Sequence, residues 1–147
     1  MEKSKIKEIL STLYVPRAEG LEGKCYRSEY MMDEHEAHAI YEAVSSAAFD
    51  SGLSHGFSYE IGERACGILA DLDDWDDDDS ITEAVDGAVP IYTHELMKIY
   101  ASNHSAVDEA VNELGDNHED SVQNAKMAWY LEIEKMVRAI KSNIEAI

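Results

Sequence analysis

The chain has 147 residues, 45% of them hydrophobic, with 31 acidic residues against 12 basic ones and a formal net charge of −19. That length suits one domain, and the apolar fraction is enough to bury a core, which excludes wholesale disorder. The charge disfavours nucleic acid and anionic membranes as ligands, because phosphates are bound by Lys and Arg that displace their counterions.

In chain order, Lys5 to Tyr14 places Ile6, Ile9, Leu10, Leu13 and Tyr14 on one stripe at helical spacing, and Pro16 ends it. Residues 16–30, with Gly20, Gly23 and mixed charges, read as a loop. A second helix is predicted from Asp33 to Phe49, with Ala37, Ile40, Tyr41, Val44 and Ala48 inward and Gly52 just beyond it. A third covers Ser58 to Leu72, with Ile61, Ala65, Ile68, Leu69 and Leu72 on one face. Gly62 and Gly67 weaken it, each by roughly 1 kcal/mol relative to Ala.

Ser80-Ile81-Thr82-Glu83 has the form of a capping box and predicts a short helix starting there. Pro90 breaks that helix or begins the next, over 91–102, which carries Tyr92, Leu96, Ile99 and Tyr100. Ser105 to Leu114 is another short amphipathic stretch, with Val107, Ala110, Val111 and Leu114 inward. The longest helix runs from Asp120 to the end on the stripe Val122, Ala125, Trp129, Ile133, Met136, Val137, Ile140 and Ile144. No alternating strand and no internal repeat stands out. The fold class is all-α, a small bundle of about six helices with a long C-terminal helix.

Cys25 and Cys66 form no CxxC pair, which fits reduced thiols in a cytoplasmic protein. The basic start at Lys3, Lys5 and Lys7 has no apolar stretch behind it, and no run approaches the ~20 apolar residues of a membrane span. A soluble, cytoplasmic chain is expected.

The charge is concentrated. Residues 1–70 carry 12 acids and 7 bases, residues 71–120 carry 16 acids and only Lys98, and residues 121–147 carry 3 acids and 4 bases. The middle third is thus a candidate surface for something positive, and the last helix a packing or self-association element. Within the run Asp71-Leu72-Asp73-Asp74-Trp75-Asp76-Asp77-Asp78-Asp79, three readings compete. Clustered carboxylates suit calcium, but no frame supplies the Gly and Glu of an EF-hand loop. A solvated acidic loop without a specific partner is the second. In the third the carboxylates imitate phosphates: at one charge per ~1.7 Å of duplex, 19 charges correspond to roughly 32 Å, or about ten base pairs.

Residues 84–102 read Ala-Val-Asp-Gly-Ala-Val-Pro-Ile-Tyr-Thr-His-Glu-Leu-Met-Lys-Ile-Tyr-Ala-Ser. The pattern Ala84, Asp86, Ala88-Val89-Pro90, Tyr92, Glu95, Leu96, Ile99 and Ala101-Ser102 resembles the middle of the Ocr-like phage anti-restriction proteins, which are acidic DNA mimics. The close match spans 84–102 and a looser one about 73–147, so residues 1–72 form a helical segment without a counterpart there, expected to pack with the rest as one unit. The resemblance implies an all-α homodimer without a cofactor. It implies a DNA-mimicking inhibitor, phage-encoded and acting in the host cytoplasm, that occupies the DNA channel of a defence enzyme, with a type I restriction–modification complex as first choice. Another defence system, of CRISPR or BREX type, is the alternative target. An acidic adaptor that binds a basic partner is the alternative role.

The carboxylates expected to meet such a partner are Asp71, Asp73, Asp74, Asp76, Asp77, Asp78, Asp79, Glu83, Asp86, Glu95, Asp108, Glu109, Glu113, Asp116, Glu119 and Asp120. Trp75 is a candidate interface anchor, since aromatics often supply binding hot spots. Trp129 reads as core or dimer contact. His35-Glu36-Ala37-His38 is not HExxH and lacks a third ligand at a useful spacing, and neither Cys sits in a strongly basic setting. No Gly-rich phosphate loop or nucleophile elbow is present, so no metal site and no catalytic residue is assigned.

Overall fold

The computed structural model describes residues 2–13, 15–16, 24–25, 35–102 and 121–147. The protein is an all-α bundle built around its long C-terminal helix. The helices are α1 (Lys3–Leu13), α2 (His35–Asp50), α3 (His55–Asp71), α4 (Asp78–Ala88), the short α5 (Thr93–Leu96) and α6 (Lys98–Ser102), and α7 (Ser121–Glu145). Between α1 and α2 a two-residue antiparallel ladder pairs β1 (Val15–Pro16) with β2 (Lys24–Cys25), where the sequence predicted only loop.

Helix α7 is the hub. Its apolar stripe buries Ala125, Trp129, Ile133, Val137 and Ile140 completely, and α2, α3, α4, α5 and α6 all pack on it, α3 most extensively. Helix α1 lies on the other side of α3 and α2 and inserts Ile9, Leu10 and Leu13 into the same continuous core. The glycines of α3 do not end it, because Ile61, Ala65 and Leu69 bury a face whose packing outweighs propensity.

Helix ends differ in detail from the sequence pattern. The cap of α4 is Asp77, not Ser80: the Asp77 carboxylate accepts from the Asp79 N–H at 3.1 Å and from the Ser80 hydroxyl at 2.7 Å. An aspartate already stood three residues upstream, so Ser80 serves the cap as a donor. The stretch 91–102 is two short helices separated by Met97. Tyr92 is 60% exposed and precedes the first of them, so it does not join the inward stripe. Between α2 and α3 the chain turns at Gly52, whose φ of +76° suits a residue without Cβ. The predicted helix 105–114 lies outside the described residues.

Candidate functional site

The turn between α3 and α4, with α4 itself, displays the acidic run. Asp71, Asp73, Asp74, Asp76, Asp77, Asp78 and Asp79 are all exposed. The backbone between them is tightly organised: the Asp76 N–H donates to the Asp74 carboxylate at 2.9 Å, and the Asp77 N–H donates to the Asp74 carbonyl at 3.4 Å. Beyond the cap, Asp79, Glu83 and Asp86 recur at helical spacing on the solvent face of α4, while Ile81 and Val85 point into the core. At a rise of 1.5 Å per residue these three carboxylates span about 10 Å.

Trp75 interrupts the run and is a correction to its expected role. It is 1% exposed, and its indole Nε1 donates to the Leu69 carbonyl at 2.9 Å. The Lys3 ammonium covers the ring, 4.3 Å from its centroid. An indole flanked by charges finds a hydrogen-bond partner and an apolar bed inside the molecule, so it anchors the turn to the core and offers no face to a partner. Trp129 is likewise core: it is fully buried, donates to the Leu96 carbonyl at 2.9 Å and meets Phe57 edge-on with centroids 5.0 Å apart.

Some of the acids are matched within the chain. Arg138 lies 3.3 Å from Asp78, and Lys141, one turn further along α7, lies 3.4 Å from Asp76. Glu95 is half-buried and 3.9 Å from Arg64. Among the described residues Asp71, Asp73, Asp74, Asp79, Glu83 and Asp86 face no such cation. Asp108, Glu109, Glu113, Asp116, Glu119 and Asp120 lie outside the described residues. The matching bases were not singled out from sequence, though the near-neutral last helix beside a highly acidic segment was a signal for them.

The hydrogen bond from the Ser80 hydroxyl holds the Asp77 carboxyl below its usual range, helped by backbone N–H groups of Ser80 and Asp79. Burial pushes the Cys66 thiol up, with Glu63 adding to the effect, so it is not a thiolate nucleophile. His35 and His38 are exposed, and His38 contacts Glu42 at 3.0 Å. Among the described residues no group of His, Cys, Asp and Glu is arranged to hold a metal ion, and no helix is long and apolar enough to cross a membrane.

A second surface feature adjoins α4. A groove of about 560 Å³ runs between the Val89–Ile91 stretch and the first half of α7, with Val89, Pro90, Ile91 and Met127 among its apolar lining and Asp86 and Lys126 as charged members. The sequence reading did not find it. Its one signal in the sequence was the apolar run Val89-Pro90-Ile91, all three of which line it.

Compared with family models, with curated proteins and with solved structures, the chain shows no significant match.

Proposed function

We propose that this chain is a DNA-mimicking inhibitor of a DNA-binding defence enzyme, with a type I restriction–modification complex as the first target to test. The observation that carries the reading is the exposed, largely unmatched row of carboxylates on the α3–α4 turn and the outer face of α4. Such a row focuses negative potential and draws a basic channel toward it over long range. The three unmatched carboxylates of α4, Asp79, Glu83 and Asp86, come at about one per 5 Å, sparser than one phosphate per 3.4 Å of a DNA strand. Asp71 at the end of α3 and the turn residues Asp73 and Asp74 therefore belong to the binding surface together with α4. The similarity of residues 84–102 to the Ocr-like proteins supports the same reading. A homodimer belongs to the proposal because it doubles the charged length, and sedimentation equilibrium tests it.

The functional test is competition. A type I enzyme is bound to labelled duplex DNA and this protein is titrated in at low and at raised salt. The expected result is displacement near stoichiometry, weakened by salt. Failure to displace at large excess removes the type I assignment, and the same titration on other defence complexes then decides between a different target and an adaptor that never competes with DNA.

A further inference from the structure

The apolar groove lies at the end of the acidic stripe. Asp79, Glu83 and Asp86 follow one another along the exposed face of α4, and Asp86 itself lines the groove that begins where α4 ends at Ala88. Ile91 is 79% exposed and Met127 is 39% exposed, although both are large apolar side chains within reach of water. Scattered exposed apolar residues need no explanation, but a contiguous groove rimmed by charge marks a docking surface.

We infer that this groove seats a cationic, amphipathic helix of the partner protein, its apolar residues in the groove and its Lys or Arg residues on Asp86, Glu83 and Asp79. The inference rests on the acidic surface being the one that meets the partner, and it adds the element that selects among basic partners. Carboxylates alone bind any positive surface, whereas a shaped apolar groove discriminates, and an amphipathic helix laid in a groove uses both faces. Charge complementarity decides between occupants. A second copy seated here about a twofold axis at the groove would bring its own Asp79–Glu83–Asp86 stripe close to this one, so a dimer is better formed through another face. A cationic helix meets that stripe favourably. Lys126, on the α7 side of the groove, directs its basic flank toward α4.

The test uses the full chain and two cationic helical peptides of equal length and charge. One carries Leu on a single face, and the other carries Ser at those positions. Fluorescence anisotropy should show the Leu peptide binding about tenfold tighter, a preference lost in the Ile91→Ser/Met127→Ser double variant. Binding of the Ser peptide, which reads charge alone, should be unchanged in that variant, and Asp86→Asn should weaken the Leu peptide several-fold. Both apolar positions are exposed, and circular dichroism checks that the variant keeps its helices. Equal binding of the two peptides, or a preference that survives the double variant, overturns the inference. Self-association abolished by the double variant, without any peptide preference, also overturns it by giving the groove to a second copy. If the chain displaces DNA from its enzyme but shows no preference, the inhibitor reading stands without the groove. A groove-dependent preference without displacement has the opposite meaning.

Discussion

Arg64 of α3 reaches over the end of α4 and donates from Nη1 to the Ala88 carbonyl oxygen at 2.8 Å. It is the only base between Arg27 and Lys98, and its guanidinium also lies 5.2 Å from the centre of the Trp129 ring. The last carbonyls of a helix lack intrahelical donors, and a cation there also suits the helix dipole. The one positive charge of a long acidic stretch therefore fixes the far end of the helix that displays the acids.

Replacing Arg64 with Met keeps much of the stem and removes the donor. Loss of a hydrogen bond to a charged group costs about 2 kcal/mol. A lower midpoint in urea is expected, with α4 amides exchanging faster than those of α7. Unchanged exchange in α4 would show that the cap does not hold that helix.

Trp75→Ala should cost about 3–5 kcal/mol, the range for removing a buried large aromatic. Trp75→Phe should cost less, because it keeps most of the packing and loses only the bond to the Leu69 carbonyl. Urea unfolding of both variants checks the order. Proteolysis should begin in the α3–α4 turn of the Ala variant, since the indole ties that turn to the core. A Trp75→Ala protein as stable as the parent would contradict the burial of the indole.

Gly67 sits in α3, is exposed, and has open space where a Cβ would lie. Nothing in its packing calls for glycine. Gly67→Ala should therefore stabilise by about 0.5–1 kcal/mol through helix propensity and a less flexible unfolded chain, raising Tm by roughly 2 °C. A fall in Tm would mean that the exposed face of α3 has a contact a methyl group disturbs.

Asp77 should make α4 sensitive to acid. Its folded-state pKa lies below the ordinary 3.8, so the stabilisation is complete above the unfolded carboxylate's range and is lost as pH falls through the lower folded value. Asp77→Asn can still accept hydrogen bonds at the cap but cannot titrate. Thermal melts from neutral to acid pH should show a steeper loss of stability in the parent than in the variant. Parallel curves would remove the role of the ionised cap.

The bundle was legible because its long helices carry strong periodic stripes. The buried residues of α1 are the ones its spacing indicates, and most of the α7 stripe is buried too, since packing against several neighbours leaves one solution for an amphipathic helix. At α7 the stripe missed Asn124, Ala128 and Glu132, which are buried, and included Val122, which is only partly so. The site was legible in composition and less so in geometry. Trp75 lies among charges in sequence, and only tertiary contact with Leu69 and Lys3 shows that it turns inward. Ser80 matched a capping pattern, but Asp77 reached the first free N–H groups sooner. Tyr92 followed helical spacing, yet its backbone is extended as the residue that caps the helix, which begins at Thr93. Arg138 and Lys141 were too distant in sequence from Asp78 and Asp76 for any local pattern to pair them.

Asp76, Asp77, Asp78 and Asp79 look interchangeable as letters, but each has its own address in the folded chain. The first faces Lys141, the second closes the end of α4, the third faces Arg138 and the fourth is open to solvent. Trp75 sets the reading frame for all four. Deleting one aspartate would barely alter composition, yet it would reassign every one of these positions at once. A substitution at Asp79 alone would leave the other three in place. Length and phase, more than the number of charges, are therefore what this acidic run has to preserve.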